Sequence, residues 1–193
     1  MKYLNEVLEF FDISDNYRSY QIELFGSYVG KEILEVGAGR GKIIEILAQN
    51  SEKQFTLLEL DKNFFDILNN KFNSKNIKVL EERTQNIKEK KFDTIFYLDV
   101  IEHIEDDRFE LDTAYNLLKK NGHLIIIVPA FQILFSKFDQ KVGHFRRYRK
   151  EFFKRYSDEK NLKIKKLVYF DFLGFFIILF SKLLNLTNSK KTT

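Results

Sequence analysis

Hydrophobic positions change period along the chain. Leu4, Val7, Leu8 and Phe11 recur at three- and four-residue spacings, and Tyr17, Tyr20 and Leu24 repeat the stripe, predicting helices near the start. Beyond residue 31 short apolar runs alternate with helical stretches. Glu32–Val36, Gln54–Leu60, Ile77–Leu80, Thr94–Leu98 and His123–Val128 read as buried strands. Lys42–Gln49, Asn63–Phe72 and Asp107–Lys120 read as the helices between them, with Asn121-Gly122 expected to end the last. Lys163–Phe170 is a candidate sixth strand, and Phe172–Leu186 a very apolar helix.

Strands alternating with helices predict an α/β, Rossmann-like, doubly wound fold: a mostly parallel sheet with helices on both faces and an N-terminal helical cap. The expected organisation is one domain over 1–193. It comprises a cap (1–30), a core (31–170) and a C-terminal apolar helix with a polar tail (171–193).

Composition narrows the chemistry. The 193 residues include no cysteine, which removes disulfides, thiolate nucleophiles and Cys-based metal sites. The net charge of +4 hides an asymmetry: residues 137–166 carry twelve basic and four acidic side chains, a net of +8. Glu6 and Glu9 interrupt the start where a signal peptide would be apolar. The longest apolar run, Phe172–Phe180, is short of the ~20 residues that cross a bilayer. A cytoplasmic protein is expected, with peripheral membrane contact or dimerisation open to the C-terminal helix, which ends in Ser189-Lys-Lys191.

Glu35-Val-Gly37-Ala-Gly39-Arg-Gly41 falls between the first strand and the following helix, where open α/β sheets bind nucleotides. A dinucleotide fingerprint wants glycine where Lys42 stands, and a P-loop wants Ser or Thr where Ile43 stands. Glu59 ends the second strand, placed to accept hydrogen bonds from both hydroxyls of a ribose.

This loop and Glu59 resemble the cofactor motifs of class I S-adenosylmethionine-dependent methyltransferases. The segments 91–107, 117–122 and 128–130 resemble the corresponding stretches of that superfamily. With Gly143-His-Phe-Arg-Arg-Tyr148 the chain resembles a bacterial subgroup found near glycan- and lipid-assembly enzymes. The resemblance implies S-adenosylmethionine as cofactor, held by Glu35, Gly37, Ala38, Gly39, Gly41, Glu59, Leu60, Thr84 and Asp99, with Tyr17 and Tyr20 closing over it. The family's adenine-side acid falls on Arg83 here, and its seventh, antiparallel strand has no candidate.

Methyl transfer to a hydroxyl needs the proton removed or the charge stabilised. His103 or His144, with Glu102, are candidates for a general base. Alternatively Asp99, Glu102, His103 and His144, similar to the E-x-x-E-H of some O-methyltransferases, hold Mg2+ or another divalent cation. A third reading makes the acidic segment a charged start to the following helix. Arg146, Arg147 and Tyr148 are expected to meet the acceptor.

The paired-proline motif of amino-methylating DNA enzymes is absent, so a hydroxyl of a small-molecule or glycan/lipid-linked acceptor is the leading class and nucleic acid is not expected. A non-catalytic cofactor-binding scaffold and an NAD(P)-dependent reductase are the alternatives.

Overall fold

The structure is a computed structural model and describes residues 15–49, 51–72 and 74–170. The expectations for Leu4–Phe11 and for 171–193, including the apolar helix and its membrane or dimer role, lie outside them. Among the described residues no helix is long and apolar enough to cross a membrane.

Two compact units divide the chain. The first holds 15–101 and 106–127. It opens with α1 (Asp15–Phe25) and then runs β1 (Glu32–Val36), α2 (Lys42–Leu47), β2 (Gln54–Leu58), α3 (Lys62–Lys71), β3 (Ile77–Leu80), β4 (Phe92–Leu98), α4 (Asp107–Leu117) and β5 (Leu118–Ile127). The strands form one parallel sheet in the order β3-β2-β1-β4-β5. Ile33, Leu34, Phe55, Leu57, Ile95 and Phe96 are fully buried, as continuous apolar runs must be in a sheet covered on both faces. Each such side chain contributes about 1.5–3 kcal/mol. The strand order reverses between β1 and β4, and ligands of open α/β sheets bind at such a switch point.

The second unit holds 102–105 and 128–170. Its helices are α5 (Lys137–Val142) and α6 (Lys150–Glu159), and a bridge pairs Ala130 with Tyr148. Tyr148 is buried against Phe152 and Phe153, with ring centroids 5.0 and 5.5 Å away.

Two expectations are corrected. The helix starting at Asp107 stops at Leu117, and the chain through Asn121-Gly122 is already β5. The apolar face of α4 (Leu111, Ala114, Leu117) is exhausted there. Leu118 turns extended and pairs with Phe92, with a register shift before Thr94 meets His123. Asn121 supplies the left-handed residue (φ 64°) inside the strand rather than a turn. Residues 163–170 form no strand. Ile164 and Val168 are exposed, so these apolar positions are not buried on a sheet.

Candidate active site

The glycine loop leaves the carboxyl end of β1 with left-handed backbone at Gly37, Gly39 and Gly41. Gly37 N–H and Ala38 N–H both donate to Leu58 O, at 2.8 and 3.1 Å, tying the loop to the end of β2. The three glycines are required for different reasons. A Cβ at Gly37 would lie 2.7 Å from Val100, and one at Gly41 2.5 Å from Phe72; one at Gly39 would meet nothing within 4 Å. Gly39 therefore keeps an open face beside its N–H.

That N–H donates to Glu59 Oε2 at 2.8 Å, while Glu59 Oε1 accepts from Asp61 N–H at 2.8 Å. The carboxylate is buried and fixed in orientation by two backbone donors. Leu60, next to it, is exposed.

Glu35 lies at the end of the same fully apolar strand. Burial pushes its carboxyl up to about 8; Arg18 tempers the rise and Glu59 adds to it. Glu35 Oε2 and Arg18 Nε are buried without a hydrogen-bond partner among the described residues. Arg18, from α1, donates to Gln21 at 2.8 Å and stands 3.9 Å from Asp99. Asp99 itself follows β4 in the left-handed region (φ 58°), its N–H bonded to Ile127 O. A non-glycine residue held there is strained, and such strain concentrates at functional positions.

The first unit thus brings together Glu35, the glycines, Glu59 and Asp99, and adds Arg18, which the sequence reading did not single out. Its signal was available: Arg18 follows Tyr17 directly on the predicted cap. Tyr17 is half-buried and Tyr20 exposed on α1. Thr84 is buried, its hydroxyl 3.5 Å from Tyr97 Oη, which donates to Glu110 Oε1 at 2.6 Å.

The second unit assembles the histidines. The rings of His103 and His144 meet edge to face at 4.6 Å. One ligand atom each from Glu102, His103 and His144 lie within 4.8 Å of one another. Asp99 is not in that group. His144 Nδ1 is 3.0 Å from Asp139 Oδ1, and its Nε2 is 3.9 Å from Glu102 Oε1.

Asp139 was not anticipated, although Ser136-x-x-Asp139 is a readable capping box and Asp139 opens α5 in that role. It is fully buried and accepts from Arg147 Nε at 2.7 Å, Arg147 Nη2 at 3.1 Å and Ser136 N–H at 2.9 Å. Burial opposes its charge, but the hydrogen bonds from His144, Arg147 and Ser136 outweigh it and hold the carboxyl well below the usual range. An ionised carboxylate only accepts, so Nδ1 of His144 carries a proton, and in the neutral ring Nε2 is the nitrogen with the lone pair. His103 keeps an exposed edge. Burial of the rest of its ring, then the nearby His144, push it down to about 4 against one opposing hydrogen bond to the backbone of Gly143, so it is neutral at physiological pH.

The expected acceptor residues divide. Arg147 is committed to Asp139, with its side chain 8% exposed. Arg146 Nη2 donates to Glu105 O at 2.6 Å. Tyr148 is buried, its N–H bonded to Pro129 O and its O to Phe131 N–H.

The sequence profile of a family described as "Methyltransferase domain" matches residues 34–124. No curated protein matches. Solved structures match the fold. A Bacillus halodurans C-125 protein provisionally described as a methyltransferase has a TM-score of 0.63 at 15% identity, covering 79% of this chain and 71% of its own. Haemonchus contortus phosphoethanolamine N-methyltransferase 2, in complex with S-adenosyl-L-methionine, has a TM-score of 0.69 at 18% identity, covering 92% of this chain and 43% of its own. The N-methyltransferase NodS of Bradyrhizobium japonicum WM9, with S-adenosyl-L-homocysteine, has a TM-score of 0.56 at 18% identity, covering 68% and 67%. This chain spans between 43% and 71% of the length of these relatives. Residues 34–124 are therefore similar to a methyltransferase domain, and the chain shares the fold of solved S-adenosylmethionine-dependent methyltransferases.

Proposed function

We propose that the protein methylates a hydroxyl oxygen of a small-molecule or glycan/lipid-linked acceptor. The pairing of Asp139 with His144 carries this reading. It keeps the proton on Nδ1 and leaves Nε2 as the acceptor that a hydroxyl nucleophile needs.

The first unit suits the cofactor. The buried atoms of Glu35 and Arg18 without a hydrogen-bond partner are a carboxyl oxygen and a guanidinium nitrogen, and a head group bearing one ammonium and one carboxylate offers a partner to each. Glu59 holds the ribose, and the open face of Gly39 admits the ligand close to the backbone. Ala38, Leu60, Thr84, Asp99 and Tyr17 complete the proposed contacts. When bound, S-adenosylmethionine supplies a sulfonium-activated methyl carbon.

The chain's own work is then positioning and proton removal. His144 Nε2 takes the acceptor hydroxyl proton. Asp139 steadies the imidazolium that results, and His103, already neutral, adds no competing charge. Glu102 faces Nε2, so its carboxylate favours a proton arriving there. Of the three residues expected to meet the acceptor, Arg146 is the one placed to orient it, while Arg147 holds Asp139 and buried Tyr148 supports the segment that carries them.

A second reading has one specific observation in its favour. Glu102, His103 and His144 offer an oxygen and two nitrogens to a common centre, a donor set suited to a divalent cation that would lower the pKa of the acceptor hydroxyl.

The test uses methyl-labelled S-adenosylmethionine with native cell extract and identifies the labelled product. An oxygen-methylated product supports the proposal, and a product labelled only on nitrogen or carbon overturns it. Full activity in EDTA removes the cation.

A further inference from the structure

Gln21 is fully buried on α1, although glutamine side chains mostly lie at protein surfaces. It stands three residues after Arg18, on the same side of the helix. Its Oε1 accepts from Arg18 Nη1 at 2.8 Å. Its Nε2, which carries two N–H donors, is buried with no hydrogen-bond partner among the described residues. Turning the amide over would set those donors against the guanidinium, so the oxygen belongs on Arg18. Arg18 in turn stands 3.9 Å from Asp99 and near enough to Glu35 to favour ionisation of that carboxyl. Arg18 Nε and Glu35 Oε2 are likewise buried without a partner among the described residues.

Stability does not account for the amide. A buried donor left unmade costs the desolvation of the whole group. A glutamate at position 21 would still accept from Arg18, would add an ion pair and would strand no N–H. The oxygen of Gln21 therefore serves the folded chain, while its nitrogen serves no group among the described residues. A neutral donor beside a guanidinium, with the acids Glu35 and Asp99 near that guanidinium, suits a ligand negative at one end and positive at the other.

We propose that Gln21 is a specificity-determining residue: its Nε2 donates to the carboxylate of the S-adenosylmethionine head group, while its Oε1 holds Arg18 in place for the same carboxylate. The two uncommitted donors, Gln21 Nε2 and Arg18 Nε, then find acceptors on one group, and the ammonium is left to Glu35. A site built to hydrogen-bond a ligand group rejects analogues lacking it, because its buried donors are then left unmade. The first unit thus selects cofactors that keep the carboxylate. This inference rests on the reading that the first unit binds S-adenosylmethionine.

The test is calorimetric titration of the full chain with S-adenosylhomocysteine and with its decarboxylated analogue, which keeps the ammonium. The wild type is expected to bind S-adenosylhomocysteine at least tenfold more tightly than the analogue. Gln21→Glu keeps an acceptor for Arg18 and removes the donor, whereas Gln21→Met removes both. Each variant is expected to weaken S-adenosylhomocysteine at least tenfold and to leave binding of the analogue unchanged. Undiminished discrimination in Gln21→Met overturns the proposal, and this arm decides even if a buried glutamate prevents folding. Undiminished discrimination in Gln21→Glu alone reduces Gln21 to a support for Arg18 and overturns the donation. Equal wild-type affinity for the two compounds removes the carboxylate contact altogether. A wild type that binds neither compound sinks the cofactor reading itself, whereas tight wild-type binding with unchanged variants sinks only the role of Gln21.

Discussion

Asp139 Oδ1 stands 3.0 Å behind Nδ1 of His144, and the same carboxylate receives the fork of Arg147 at 2.7 and 3.1 Å. One side chain thus caps a six-residue helix, neutralises an arginine and sets the tautomer of a histidine. Local folding and proton chemistry therefore share a single group, and a change there is felt in both.

Asp139→Asn is expected to destabilise the protein by about 3–5 kcal/mol, because it strands the Arg147 charge in a buried place. Urea unfolding measures the loss. Adding Arg147→Met should recover part of it, and strict additivity of the two changes would contradict the coupling. Asp139 also has a depressed carboxyl. Its contribution is fully present above the ordinary carboxylate range and vanishes as pH falls through the depressed value, so the variant should show a flatter acid limb.

Glu35 shifts the other way. Its carboxyl is raised from 4.5 to about 8, so over that window the folded chain holds a proton that the unfolded chain releases. This group therefore weakens folding progressively as pH rises from about 4.5 to about 8. Relative to the wild type, Glu35→Gln should gain stability toward the upper end of the window. Parallel stability curves for the two proteins would show that the carboxyl is not perturbed.

Gly39→Ala and Gly41→Ala should separate. Both place a side chain on left-handed backbone, a penalty of roughly 1–2 kcal/mol. Gly41→Ala adds a clash with Phe72 and Leu68, an overpacking of roughly 1–3 kcal/mol more. Gly39→Ala should melt a few degrees below the wild type but above Gly41→Ala, and lose S-adenosylmethionine affinity in calorimetry; retained affinity would remove Gly39 from the cofactor contacts.

Tyr97→Phe is expected to cost about 1–3 kcal/mol, since it deletes the 2.6 Å donor to the buried Glu110 carboxylate. Chemical denaturation reads this directly, and a neutral substitution would mean that water replaces the hydroxyl.

Some of this molecule was legible in its residues and some was not. The glycine loop and Glu59 were readable because their roles are local: left-handed backbone at a strand end and an acid closing the next strand. Ile77–Leu80 was bounded correctly as a strand because its apolar run is short and flanked by polar residues. Asn121-Gly122 misled because the pair is a turn signal in isolation, and only pairing with β4 turns those residues into a strand. Asp139 escaped notice since Lys-Phe-Asp-Gln-Lys reads as the solvated start of a helix. Its burial arises when Arg147 and His144 fold back onto it, which no local pattern encodes.

The glycine loop carries an evolutionary consequence. Gly37 and Gly41 are guarded by the bulk of Val100 and Phe72, so any descendant that keeps this fold must keep them, whatever it binds. Gly39 has no such guardian. Backbone strain aside, only a ligand's approach would select against a side chain there. A lineage that had abandoned the cofactor would be expected to lose glycine at position 39 before positions 37 and 41.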